Sequence, residues 1–71
     1  MVSGRRVVRA LSRAGFAIVG RKGSHIRMKR TTDRVHIVVI PDHKEIAPGT
    51  LLSIMRQSGL AREEFLALLR R

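Results

Sequence analysis

Seventy-one residues carry fifteen Lys and Arg against five Asp and Glu, for a formal net charge of +10. A chain this short buries only about 60% of its unfolded surface, which excludes a deep cavity for a large cofactor, and without cysteine it has neither a disulfide nor a thiolate metal site. So basic a domain is drawn to polyanions: nucleic acid first, an anionic protein second, a membrane surface third.

Ser3 is placed to cap a helix in which Val7, Val8, Leu11 and Ala14 recur at helical spacing, while Arg5, Arg6, Arg9 and Arg13 fall largely on other faces. Gly15 suits the position after its last turn, so a helix is predicted over about residues 4–14. "FAIVGRK" reads as a strand, and Gly23 and Ser24 as a tight turn. "HIRMKR" alternates, with Ile26 and Met28 on one face and His25, Arg27 and Lys29 on the other. "TTDR" turns the chain again, and the β-branched run "VHIVVI" ends at Pro41, which has no N–H to give a ladder. These segments make a three-stranded antiparallel meander.

"PDHKEIAPG" reads as a loop. Thr50 is predicted to cap a helix with Leu51, Ile54 and Met55 on its apolar face, and Gly59 to end it. "AREEFLALLRR" is a last short helix: Ala61 is a poor cap, but Glu63 and Glu64 suit its positive end and Arg70 and Arg71 its negative end. The order α-β-β-β-α-α gives an α+β fold, with the main helices on one face of the sheet and the other face open. A single domain over residues 1–71 is expected, free of linkers and repeats. No apolar run approaches the ~18 residues that span a bilayer, and "MVSGRRVVRA" has no apolar segment long enough for a signal peptide. The expected setting is the cytoplasm, with no membrane partner.

Within "RKGSHIRMKR" no acid lies among the cations. His25 shares a strand face with Arg27 and Lys29, and Lys22 precedes the turn. A neutral imidazole there can act as a general base, and flanking cations can hold a phosphodiester and stabilise the charge that develops on it. That suffices to draw the 2′-hydroxyl proton of RNA and drive attack on the adjacent phosphorus, with no metal and no cofactor; DNA lacks that hydroxyl. Against this, a lone His on an exposed strand is more often surface than catalyst. His36 and His43 are too far apart in sequence to suggest a metal site. His36 reads as a structural or partner-facing strand residue, and His43 as a second acid/base group or a solvent-exposed one. Glu63 and Glu64 read as helix-terminus charges. Twelve of the fifteen cations are Arg, which grips phosphate bidentately. The only aromatics are two Phe, which argues against modules that stack bases on aromatic platforms.

Gly23-Ser24-His25 after a basic strand, then "IPDHKEIAPGTL", then "GLAREEFLALL", together resemble the HicA family of toxin ribonucleases, from Ser3 to about Leu69. "GSH" alone is weak; the ordered set is specific. The resemblance implies a double-stranded-RNA-binding-like fold and mRNA cleavage centred on His25. Lys22, Gly23, Ser24, Arg27 and Lys29 would form the RNA contact around it. A HicB-type antitoxin would be the partner, the toxin being a monomer when free and part of a hetero-oligomer when neutralised. Many relatives carry a second His directly after the first; this chain has Ile26 there, and its strand phase turns it toward the core. The main alternative is a non-catalytic double-stranded-RNA-binding module, which shares the element order and the charge. Such modules need basic residues near the start of the second helix, and "APGTLLSIM" has none. A DNA-binding accessory role fits less well, because "TLLSIMRQSG" is too apolar for a recognition helix.

Overall fold

The computed structural model describes residues 2–71. They run in the order α1 (Gly4–Arg13), β1 (Ala17–Lys22), β2 (His25–Thr31), β3 (Val35–Pro41), α2 (Pro48–Ser58) and α3 (Arg62–Arg70). The Ser3 hydroxyl oxygen accepts the Arg6 N–H at 3.1 Å, which satisfies one of the free donors at the start of α1.

The sheet is antiparallel with β2 in the middle. Cross-strand register fixes its two faces. His25 lies opposite Lys22 and Pro41, Arg27 opposite Gly20 and Val39, and Lys29 opposite Ala17 and Ile37. On the other face Ile26, Met28, Val38 and Ile40 are buried. They meet Val7, Ala10 and Leu11 of α1, Ile54 of α2, and Phe65, Leu68 and Leu69 of α3 in one core. The expected inward turn of Ile26 is observed. A register shift between Ile18 and Gly20 bulges β1, and Ile18 and Val19 remain exposed at that edge.

Three details differ from the sequence reading. The first strand begins at Ala17, because Phe16 is buried and its N–H bonds back to the Leu11 carbonyl at the end of α1. Pro41 is still in β3, opposite His25. Helix α2 starts at Pro48, with Ala47 rather than Thr50 in the capping position. Proline supplies a pre-set φ for a first helical residue and holds Ala47 extended before it, so Thr50 is already inside the first turn.

Arg30 faces the helices, not solvent. Its guanidinium lies 5.0 Å over the Phe16 ring, and its Nη1 donates to the Ala14 carbonyl at 3.0 Å, closing the end of α1. His36 packs against Gly59, the residue that ends α2, and so serves the fold. Helix α2 runs beside β3: the Val39 N–H donates to Gln57 Oε1 at 3.1 Å. No helix among the described residues is long and apolar enough to cross a membrane.

Candidate functional site

The β1–β2 turn needs a residue with positive φ, and Gly23 adopts +58° there. One bond closes this turn on itself and two fasten it to the loop after β3. Arg21 Nε donates to the Gly23 carbonyl at 3.1 Å, Arg21 Nη2 donates to Asp42 Oδ2 at 2.8 Å, and the Asp42 N–H donates to the Ser24 carbonyl at 2.6 Å. Arg5 Nε stands 3.7 Å from the other carboxylate oxygen. The hydrogen bond from Arg21, aided by the charges of Arg21 and Arg5, holds the Asp42 carboxyl below its ordinary value of 3.8 against the opposing effect of desolvation.

Helix α1 supports the same loop from below. The Gly4 N–H donates to the His43 carbonyl at 2.9 Å. Gly4 is buried so closely against Pro41 and Asp42 that a Cβ would overlap the Pro41 carbonyl. The turn before His25 and the loop bearing His43 are therefore held as one unit on the start of α1.

An open groove of about 580 Å3 lies between the edge of the sheet and α2. His25, Val39 and Pro41 line it from the sheet, His43 and Glu45 from the loop, and Gly49, Thr50, Ser53 and Gln57 from α2. His25 and His43, far apart in sequence, thus open onto one space, and both are exposed. Lys22 is the cross-strand neighbour of His25, and Arg27 and Lys29 continue along the same face of β2. Lys22, Gly23, Ser24, Arg27 and Lys29 are all exposed.

The start of α2 is the other wall. The first N–H groups of a helix have no partner within it and carry the positive end of its dipole. Ala47 makes no side-chain hydrogen bond to cap them. Two imidazoles and an uncapped helix start around one groove, with Lys22 across the strand from His25, suit a phosphate flanked by two proton-transfer groups.

Other candidate residues lie elsewhere. His36 sits against Gly59, and Glu63 and Glu64 are exposed in the first turn of α3. Among the described residues no group of three or more His, Cys, Asp or Glu could hold a metal ion. The sequence reading missed Arg21 and Asp42 as the fastening pair, and Glu45 and Gln57 as groove residues. Asp42 left one usable trace: it follows Pro41, at the end of the strand that a meander lays beside His25. Gln57 left none, because its role depends on how α2 docks beside β3.

No curated protein matches the chain. The family model described as the HicA toxin of bacterial toxin–antitoxin systems matches residues 4–60, the span from the start of α1 to just past α2, which includes every residue lining the groove. With well over half of its length matched in this way, the chain belongs to the HicA toxin family, the toxin side of bacterial toxin–antitoxin systems.

Proposed function

We propose that this toxin is a metal-independent endoribonuclease that cleaves mRNA in the cytoplasm and so halts translation and growth until a HicB-type antitoxin neutralises it. The observation that carries the reading is the opening of His25 and His43 onto one groove beside Lys22 and the start of α2. His25 takes the proton from a ribose 2′-hydroxyl. The 2′-oxygen attacks the adjacent phosphorus, the bond to the 5′-oxygen breaks, and His43 gives that oxygen a proton. The products are a 2′,3′-cyclic phosphate and a 5′-hydroxyl. Lys22 and the first N–H groups of α2 hold the non-bridging oxygens as charge builds on them. Both proton transfers are made by imidazoles, so the scheme requires no metal.

The antitoxin is proposed to bind the outer face of the sheet. There Val35, Ile37 and Val39 form an exposed apolar row on β3 beside the cationic row of Arg27 and Lys29 on β2. An acidic partner seated there would pair with the cations, cover the apolar row and block RNA from His25 in one step.

The test expresses the wild type and His25→Ala and follows growth and RNA integrity. The wild type should arrest growth and degrade RNA, and the variant should do neither while keeping its circular-dichroism spectrum and melting midpoint, because His25 is exposed. A folded variant that still cleaves RNA would remove His25 from the chemistry.

A further inference from the structure

We propose that Gln57 selects the nucleobase beside the phosphodiester held at His25, by donating its side-chain amide hydrogens to an acceptor on the base edge; this rests on the ribonuclease reading above. A backbone N–H can only donate, so the amide atom 3.1 Å from the Val39 nitrogen is Oε1, and the amide orientation is fixed. That bond occupies the acceptor end against the strand and leaves the two Nε2 hydrogens for whatever fills the groove, which Gln57 lines together with His25. With its oxygen turned to the strand, the side chain presents chiefly its two donors there.

Its placement suits a base and not the scissile phosphate. Thr50, Ser53 and Gln57 follow one another at helical spacing along the wall of α2 that lines the groove. Thr50 lies in the first turn of α2, and Gln57 lies seven residues on, about 10 Å along the helix. On the facing strand Pro41 stands opposite His25, and Val39, which holds Gln57, is two residues away, roughly 7 Å. Gln57 thus sits about one nucleotide's reach from His25, with the exposed Val39 side chain as an apolar wall against which a base face can pack. The 4-oxygen of uracil or the 6-oxygen of guanine meets the amide donors with an acceptor. The exocyclic amine of cytosine or adenine meets donor with donor.

Uracil and cytosine have the same ring size, so they make the sharpest comparison. In the full chain carrying His25→Ala, which removes cleavage, binding of labelled oligo(U) and oligo(C) is measured by fluorescence anisotropy. The parent should bind oligo(U) about tenfold more tightly than oligo(C). Gln57→Glu keeps an oxygen for the Val39 N–H but replaces the donors with a second acceptor, and it should reverse that order. Gln57→Met removes the donors without adding charge and should bring the two affinities together; with circular dichroism as the check on folding, either variant is sufficient. Equal affinities in the parent, or an unchanged ratio in the folded variants, would overturn the proposal and leave Gln57 as a fastener of the strand edge. Equal weakening toward both RNAs would overturn it in favour of a phosphate contact. Cleavage with His25 intact is scored separately: a preserved uracil preference without cleavage would sink the ribonuclease reading and leave the role of Gln57 standing.

Discussion

Arg21 and Asp42 meet at 2.8 Å, and through them the turn that precedes His25 is tied to the loop that carries His43. The pair lies on the helix side of the sheet, since Arg21 stands opposite the buried Ile26, whereas Lys22 beside it stands opposite His25 on the outer face. Adjacent residues of a strand point to opposite faces, so one cation fastens the site and its neighbour is left on the outer face.

Asp42→Asn keeps an acceptor for Arg21 but removes the charge. At neutral pH its melting midpoint should fall by a few degrees, and kcat for RNA cleavage should drop on the order of tenfold with KM less affected, because the two histidines lose their fixed spacing. The folded-state carboxyl titrates below its unfolded value of 3.8. Its contribution is therefore full above about pH 3.8 and is lost as pH falls through the lower folded value. Thermal melts should show the gap between wild type and variant closing below pH 3.8. A gap that persists at pH 2 would mean that the carboxylate charge is not what holds the turn.

His43→Ala tests the second proton transfer. Single-turnover cleavage should slow by about 10²–10⁴-fold. The alkaline limb of the wild-type pH profile, which reports loss of the acid, should vanish in the variant. A profile of unaltered shape would assign the leaving-group proton to Glu45, Lys44 or water.

Lys22, Arg27 and Lys29 should each contribute one phosphate contact. For single-stranded RNA the slope of log K against log salt should become less steep by about 0.7 for each cation replaced by Ala. The weakening should be the same for every RNA sequence tested, in contrast to the base-dependent effect expected at Gln57. Slopes unchanged in all three variants would place the RNA on another surface.

The antitoxin surface is testable apart from the groove because Val35 and Ile37 do not line it, whereas Val39 does. Val35→Thr combined with Ile37→Thr keeps β-branching and removes apolar area. RNA cleavage should be unchanged, and calorimetry with a HicB-type antitoxin should show about fiftyfold weaker binding, in line with the loss of three buried methyl-sized groups at about 0.8 kcal/mol each. Full affinity in the double variant would move the antitoxin to a different face.

The elements were legible because their signals are local. Ser3 caps α1, Gly23 supplies the positive φ of the hairpin turn, and the alternation of Ile26 and Met28 with His25, Arg27 and Lys29 sets the faces of β2 without reference to the rest of the chain. The face of β3 was not legible. "VHIVVI" is apolar on both phases, and only its pairing with β2, which puts Ile37 opposite Lys29 and Val39 opposite Arg27, turns Val38 and Ile40 inward. Thr50 reads as a cap, but Pro48, a better first residue, starts α2 three residues earlier. Within "RKGSHIRMKR" strand phase already sets Arg27 and Lys29 on the face of His25, but only the folded chain shows that Arg21 is spent on Asp42 and Arg30 on Phe16 and Ala14. The sequence by itself determined the element order, the cationic strand and the placement of His25. Tertiary structure alone decided which residues join it, since His43, Glu45 and Gln57 reach the groove through strand register and helix docking, and these contacts span separations that no local pattern encodes.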